Sequence, residues 1–275
     1  MSLATLANRT YTPGATPAPS RVISLNITRQ SYTHVKESIL SAARQGRAGY
    51  ACFANVHMVV EARQNPVIAQ AVNGADWITA DGVPLTWAIK GLYGEAQERI
   101  AGMDMLPDLL AGAERDGLPV FFYGSTPEML ERTVAVCDEK FPRLTVAGTF
   151  SPPFRPLTEL EESAVAEQIT LSGAKLVFVA LGCPKQELWM ARMRNRIPAV
   201  LLGIGGALPV FAGGQTRAPQ WMQRAGLEWL YRMGQEPGRL MKRYGITNSL
   251  FVWHLIRQMA FGAETAVQTG QPLKG

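Results

Sequence analysis

Short apolar runs alternate with longer stretches whose apolar residues recur at helical spacing. Runs that are short and rich in β-branched or aromatic residues are typical of strands, and helix-length segments between them indicate βαβ units. Residues 176–181 are apolar throughout, as expected for a strand covered on both faces. The predicted strands are residues 22–27, 50–54, 77–79, 120–123, 145–149, 176–181 and 200–204. The pattern therefore predicts an α/β fold with a mostly parallel sheet flanked by helices.

Composition divides the chain into three parts. Residues 1–20 are rich in Thr, Pro, Ala and Ser and lack a periodic apolar pattern, so we interpret them as a flexible leader. Residues 21–216 contain every predicted strand. From about Arg217 the strand pattern stops and tryptophan and arginine become frequent. We expect residues 217–275 to form a basic helical appendage.

Positive charge is concentrated in this appendage. The chain carries a formal charge of +5, and residues 215–257 account for it with seven basic residues against two acidic ones. The basic residues are Arg217, Arg224, Arg232, Arg239, Lys242, Arg243 and Arg257. Such a segment favours an anionic partner, which could be nucleic acid, a phosphorylated ligand or a membrane surface. A solvated basic face is the simpler alternative.

Residues 250–256 are too apolar for a free surface helix and too short to span a bilayer. They could be buried against the domain or lie in a membrane interface. The neighbouring arginines and Trp253 favour the interface. No run of about 18 apolar residues occurs in the chain, so we expect no membrane span.

Two polar residues follow predicted strands, where open α/β sheets bind ligands. Asp81 lies in the sequence TADGVP (79–84), and a carboxylate there could take a proton from an attacking hydroxyl group. Asn55 ends the preceding strand and could orient a sugar hydroxyl or a phosphate. Each side chain could instead simply cap the next helix.

A helix is predicted to begin at GCPKQE (182–187), directly after the strand at residues 176–181. Free backbone N–H groups and the helix dipole favour a phosphate at such a position. The backbone at Gly182 and the side chains of Lys185 and Gln186 would then contact it. A capped helix start without a ligand is the alternative.

A glycine-rich segment, GIGG (203–206), resembles part of a dinucleotide fingerprint, but Leu208 stands where the third glycine belongs. This departure argues against an NAD-dependent oxidoreductase and favours a close approach between a ligand and the backbone, for example at Gly205. A nucleic-acid-binding module would share the basic segment and is the other alternative. No G-x-S-x-G sequence occurs and the chain has three histidines, so we expect no nucleophilic triad.

Candidate metal ligands are sparse. His57 and Glu61 lie four residues apart on a predicted helix, but one pair is insufficient for a metal site. The three cysteines are too scattered for a zinc knuckle and too few for a disulfide framework, which favours a reducing compartment. No D-x-D pair occurs. We therefore expect neither a metal nor a cofactor. If a nucleotide-sugar binds here, arginine, lysine or helix N-termini would have to offset the charge of the leaving diphosphate.

Six segments, taken together and in order, resemble the WecG/TagA/CpsF glycosyltransferases. They are NVH (55–57), ADGVP (80–84), ERIAGMD (98–104), ALGCPKQE (180–187), GIGGALP (203–209) and RAPQWMQRAGLEWLYR (217–232). The resemblance extends from about Val22 to Tyr244. Its specificity comes from the joint occurrence of the segments.

The resemblance implies a bacterial, metal-independent, inverting hexosyltransferase. Such an enzyme moves a sugar from a UDP-sugar onto a polyprenyl-diphosphate-linked monosaccharide in the biosynthesis of an exopolysaccharide, a surface antigen or a wall polymer. It also implies a Rossmann-like domain whose appendage completes the site at the inner face of the plasma membrane. The protein is then cytoplasmic and peripheral, with an anionic membrane surface rather than nucleic acid as partner. The two sugars, the linkage and a homo-oligomer are left open.

Residue by residue, the resemblance implies that Asp81 is the catalytic base. It also implies that Asn55, the second catalytic residue, makes a polar contact with the substrate. Some members carry threonine where this chain has Phe53, so a hydroxyl contact is lost or replaced there, which affects sugar specificity rather than the reaction. Three appendage arginines are expected to hold diphosphate. The expected substrate-binding residues are Arg99, Gly182, Lys185, Gln186, Gly205 and those arginines, Arg232, Arg239 and Arg243.

Overall fold

The computed structural model describes residues 18–235 and 237–262. Its strands are β1 (Ser20–Val22), β2 (Leu25–Ile27), β3 (Gly49–Ala54), β4 (Trp77–Ala80), β5 (Val120–Gly124), β6 (Val146–Phe150), β7 (Leu176–Ala180) and β8 (Val200–Gly203). Its helices are α1 (Tyr32–Arg44), α2 (Val56–Gln64), α3 (Pro66–Asn73), α4 (Val83–Tyr93), α5 (Gly102–Asp116), α6 (Pro127–Lys140), α7 (Glu159–Leu171), α8 (Lys185–Met193), α9 (Ala207–Phe211), α10 (Gln220–Arg224), α11 (Glu228–Gln235) and α12 (Pro237–Phe261).

Six strands form one parallel sheet in the order β4-β3-β8-β7-β5-β6. This confirms the predicted α/β class and its Rossmann-like, mostly parallel sheet flanked by helices. Helices cover both faces of the sheet, so five of the strands are almost completely buried. The edge strand β6 is half-buried. In β7, Val177 and Val179 belong to one core and Leu176 and Phe178 to the other, as the two-residue period of a strand requires.

The prediction of one strand at residues 22–27 is wrong. The segment forms two short antiparallel strands, β1 and β2, with Val22 paired to Leu25. Ile23 turns the chain at φ 54°, an unusual conformation for a β-branched residue. Its backbone N–H donates to Oε1 of Gln258, 2.7 Å away. A contact this distant in sequence leaves no trace in the local pattern, so hydrophobicity alone could not reveal the turn.

Two cores lie on opposite faces of the sheet. The first packs α2, α3, α4, α7, α8 and α12 against the strands, and the second packs α1, α5, α6 and α9 against them. The alternation is clear in β3, where Cys52 joins the first core and Ala51 and Phe53 join the second. The carboxyl ends of the strands are therefore held between two rigid helical layers.

The long C-terminal helix α12 has one face inside the protein and one outside. Thr247, Phe251 and Gln258 are buried, and Phe251 belongs to the first core. Their spacing places them on one side of the helix. Trp253 and Ile256 are 58% and 56% exposed. Residues 250–256 thus have one face buried against the domain, as the first alternative expects, and one exposed face, for which the membrane interface stays a prediction. Among the described residues, no helix has the length and hydropathy needed to cross a bilayer.

Candidate active site

A cleft of about 560 Å³ lies where β3, β4, β7 and β8 end. Its floor is formed by the loops that follow these strands, and its walls include residues of α4, α11 and α12. Six residues predicted from the sequence line it: Asn55, Asp81, Arg99, Gly182, Gln186 and Gly205. The parallel sheet brings them together because its carboxyl ends meet at one edge.

The other four predicted residues either do not line the cleft or have side chains that the structure does not describe. Lys185 is exposed at the first position of α8 and is not among the residues that line the cleft. Arg232 lies in α11, and Arg239 and Arg243 lie in α12. The side chains of these three arginines are outside the described part of the structure. Their role at a diphosphate stays a prediction.

Asp81 directly follows β4, and its backbone N–H donates to the carbonyl oxygen of Ala54, 2.9 Å away. The side chain is 30% exposed and lines the cleft. The N-cap of α4 is Gly82, and no side chain caps this helix. The structure therefore does not support the alternative in which Asp81 only caps α4. Its carboxylate is accessible from the cleft.

Asn55 combines the two roles considered for it. It is the N-cap of α2, and its Oδ1 accepts a hydrogen bond from the N–H of Met58 at 3.2 Å. The residue also lines the cleft. Because the cap uses the side-chain oxygen, a contact with a sugar would draw on the Nδ2 donors.

Arg99 lies at the centre of a network of charges. Its Nη1 is 3.8 Å from Oδ1 of Asp81 and 3.3 Å from Oε2 of Glu228. Its Nη2 donates to Oδ2 of Asp104 at 2.9 Å. Arg217 donates to Oδ1 of the same Asp104 at 2.5 Å. Three carboxylates thus surround one guanidinium group that is only 20% exposed.

Asp104, Arg217 and Glu228 are not among the site residues predicted individually from the sequence. Each lies in a segment that resembles the glycosyltransferase family, but the contacts cross 113 residues between Arg217 and Asp104 and 129 residues between Arg99 and Glu228. Ion pairs at such separations follow only from the fold. The family segments were the one signal that could have pointed to them.

Gln186 joins the loops that follow β7 and β8. Its Nε2 donates to the carbonyl oxygen of Gly203 at 2.9 Å and to Oε1 of Glu187 at 2.8 Å. Its Oε1 accepts from the N–H of Gly182 at 3.2 Å. The side chain is 4% exposed. Because these groups already bond to one another, a substrate would have to displace an existing hydrogen bond to use the Gln186 amide donors or the Gly182 N–H.

Gly205 is required by this packing. Its φ is +43°, and a Cβ there would lie 3.0 Å from Oε1 of Gln186. The close approach expected at Gly205 is therefore explained by the Gln186 side chain. The glycine-rich segment leads into a helix of five residues, α9. This removes the remaining support for a dinucleotide fingerprint.

Glu187 is fully buried beside Gln186. Burial raises the pKa of its carboxyl group, because a charged carboxylate is poorly solvated there, and the hydrogen bond from Gln186 opposes the rise. An acid at this position keeps the Gln186 amide in place through that bond. Its contribution to the cleft is therefore indirect.

Phe53 is 3% exposed and forms part of the cleft wall. It packs against α5, where a Cβ at Gly102 would lie 3.4 Å from the Phe53 ring. The position where some family members carry threonine is thus an apolar surface in this chain. A ligand at this position would meet a ring instead of a hydroxyl group.

His57 and Glu61 face each other in α2, with Nδ1 and Oε1 3.7 Å apart. Across residues 18–235 and 237–262, no group of three or more His, Cys, Asp or Glu side chains is arranged to hold a metal ion. Arg99 also lines the cleft, and carboxylates already surround its guanidinium group.

The model of the Glycosyl transferase WecG/TagA/CpsF family matches residues 20–265 of the chain. The match covers both cores, α11 and α12. It includes every residue that lines the cleft, from Phe53 to Leu255.

Proposed function

Because the chain belongs to the WecG/TagA/CpsF family of glycosyltransferases, we propose that it transfers a sugar from a UDP-sugar to a polyprenyl-diphosphate-linked monosaccharide. The product would enter an exopolysaccharide, a surface antigen or a wall polymer. One observation carries the proposal: the Asp81 carboxylate lies at the end of β4 in a cleft of about 560 Å³, 3.8 Å from Arg99. The cleft has the size and position of a substrate site in an open α/β sheet.

The proposed reaction is a single displacement. Asp81 removes the proton from the acceptor hydroxyl group while the oxygen attacks the anomeric carbon. The bond from that carbon to the UDP oxygen breaks, the electron pair leaves with UDP, and the anomeric configuration inverts. General-base catalysis of this kind contributes about 10²–10⁴-fold to the rate. Asn55, at the end of the adjacent strand, is proposed to orient a hydroxyl group of the sugar.

Arginines are proposed to stabilise the diphosphate charge. Arg232 follows Glu228 by one helical turn in α11, and Glu228 lines the cleft. Arg239 and Arg243 follow in α12, which lines the cleft with Asn248 and Phe251. Cationic side chains can replace a metal ion at a developing negative charge. The helix start at Gly182 and Lys185 is proposed to add backbone and side-chain donors when substrate displaces its present contacts.

Residues 217–275 are proposed to be an appendage that rests on an anionic membrane surface. The outer face of α12 supports this, since Trp253 and Ile256 are each more than half exposed and Arg257 beside them is also exposed. Apolar and basic residues on one exposed helix face favour interfacial binding. Binding to anionic vesicles should weaken as salt rises and should fall in Trp253→Ala. Equal binding to neutral and anionic vesicles would contradict the proposal.

The decisive experiment removes the base. Asp81→Asn keeps the size of the side chain and should lower turnover by about a hundredfold or more, while UDP binding measured by calorimetry is retained. Asp76→Asn is the matched control. It removes a carboxylate from the other end of β4, where Asp76 pairs with Arg194 at 2.7 Å, and it should leave turnover near the parent level. Parent-level turnover in Asp81→Asn would refute the assignment of the base.

The substrates are identified by a second measurement. A panel of UDP-sugars is incubated with a polyprenyl-diphosphate-linked sugar, and transfer is followed by mass spectrometry of the lipid product. Inversion is read from the anomeric coupling constant of the product. Transfer from the panel to the lipid-linked acceptor supports the proposed substrate class, and transfer only to a soluble sugar would contradict it.

A further inference from the structure

Two carboxylates share one nitrogen of Arg99. Its Nη1 lies 3.3 Å from Oε2 of Glu228 and 3.8 Å from Oδ1 of Asp81, and it also lies 3.4 Å from the carbonyl oxygen of Asp81. The contact with Glu228 has hydrogen-bond length, whereas the contact with the Asp81 carboxylate is an ion pair beyond that length. The guanidinium therefore leans toward α11 rather than onto the Asp81 carboxylate.

The other side of the guanidinium is fixed. Nη2 of Arg99 donates to Asp104 in α5 at 2.9 Å, and Arg217 donates to the second oxygen of that carboxylate at 2.5 Å. The charge of Asp104 is therefore divided between two arginines. At Nη1, by contrast, the carboxylates of Glu228 and Asp81 both face the same nitrogen atom.

On the proposed role of Asp81 as the base, we propose that Glu228 is a positioning residue that maintains the basicity of Asp81 through Arg99. A carboxylate in a close hydrogen bond with arginine becomes a weaker base, because the charged form is stabilised. Glu228 holds Nη1 at a distance from the Asp81 carboxylate and offsets part of the positive charge that Asp81 experiences.

Other charged groups around Asp81 come from several elements. His57 in α2 lines the same cleft, Asp104 lies in α5, and Arg217 precedes α10. Asp104 and Arg217 form an ion pair with each other. Neutralising Glu228 leaves all of these charges in place and changes only the charge beside Nη1 of Arg99.

The same helix provides a matched control. Besides Glu228, α11 contacts the preceding loop through Tyr231, whose hydroxyl group lies 3.0 Å from Oγ1 of Thr216. Gln235 donates to the carbonyl oxygen of Thr216 at 3.0 Å. These residues follow Glu228 at helical spacing on one side of α11. Tyr231 therefore helps to dock the helix without touching Arg99 or the cleft.

The test compares Glu228→Gln with Tyr231→Phe. Glutamine can still accept the hydrogen bond from Arg99 but carries no charge. In Glu228→Gln the acid limb of the pH profile of kcat/KM should move to lower pH by about 0.5–1 unit, and turnover on the plateau should fall by about three- to tenfold. KM for the UDP-sugar should change little. Tyr231→Phe should keep the parent limb.

A second variant retains the charge. Glu228→Asp is shorter by one methylene group but still offsets Arg99, so its acid limb should remain near that of the parent. If Glu228→Gln folds poorly, Glu228→Asp still tests the proposal. An acid limb that moves to lower pH by about 0.5–1 unit in this charge-retaining variant would overturn it. Melting curves identify which variants are folded.

The outcomes separate this proposal from the proposed function. Parent-level turnover in Asp81→Asn overturns both. Loss of turnover in Asp81→Asn, together with an unshifted acid limb of the pH profile in Glu228→Gln, overturns only the role of Glu228. An equal shift in Tyr231→Phe also overturns that role, because it would show a general effect of loosening α11. A shift confined to Glu228→Gln supports it.

Discussion

Phe251→Ala would remove a buried side chain through which α12 joins the first core. The ring is 4% exposed and packs in the same cluster as residues of α2 and α4. If α12 is an integral wall of the domain, the substitution must destabilise the whole protein. If α12 only rests on the surface, the effect must be small.

The magnitude follows from burial and from the cleft. Truncating a buried phenylalanine to alanine costs about 3–5 kcal/mol, which combines lost transfer free energy with the cavity left behind. Phe251 also lines the cleft, so water can enter the vacated space and the lower end, about 3 kcal/mol, is expected. For a domain of this size that corresponds to a fall of roughly 6–12 °C in melting temperature.

The assay is urea unfolding followed by circular dichroism, with calorimetry for the melting temperature. Trp253→Ala is the control on the same helix. Because Trp253 is 58% exposed, its removal should change the free energy of unfolding by about 0.5 kcal/mol or less. A loss below about 1 kcal/mol in Phe251→Ala, or an equal loss in Trp253→Ala, would refute the assignment of the two faces of α12.

Three further predictions concern the cleft. EDTA should leave turnover nearly unchanged, since arginines are proposed to hold the diphosphate, and strict dependence on magnesium or manganese would contradict this. Gly205→Ala should lower the free energy of unfolding by about 1–2 kcal/mol and reduce activity, because φ is +43° and the new Cβ would press on Gln186; unchanged stability in urea would disprove the packing argument. Burial raises the pKa of Glu187, so above the ordinary carboxyl value of about 4.5 the folded parent binds more protons than the unfolded chain and loses stability until the raised pKa is passed. Glu187→Gln does not titrate in this range. The free energy of unfolding of Glu187→Gln should therefore increase relative to that of the parent as pH rises. Urea midpoints across about pH 4–8 measure this, and a constant difference would contradict it.

Much of the fold was readable because its signals are local. Five of the six strands of the sheet are short, largely apolar runs buried between the helices. Asn55 and Asp81 directly follow two of them. Parallel strands place such positions at one edge. The α/β class and the meeting of these two side chains could therefore be predicted from the sequence.

The contacts that complete the site could not be predicted in this way. Whether Asp81 caps α4 depends on where that helix begins, and the structure starts it after Gly82. The donors of Gln186 are used by Gly203 and Glu187, which depends on the distance between two loops. The ion pair of Arg99 with Glu228 crosses 129 residues. Charge and hydrophobicity along a chain do not specify such pairs, since they depend on how the helices pack.

Gln258 of α12 connects the end of the described chain to its beginning. It accepts a hydrogen bond from Ile23 N–H at 2.7 Å and donates to the carbonyl oxygen of Arg21 at 2.9 Å, across 235 and 237 residues. A ribosome adding about 5–20 residues per second needs roughly 12–47 s to make the chain between these partners. During that time the hairpin of β1 and β2 has no Gln258 to hold its turn, and the cleft has no α12 wall. A nascent chain therefore acquires the complete cleft only after α12 has been synthesised.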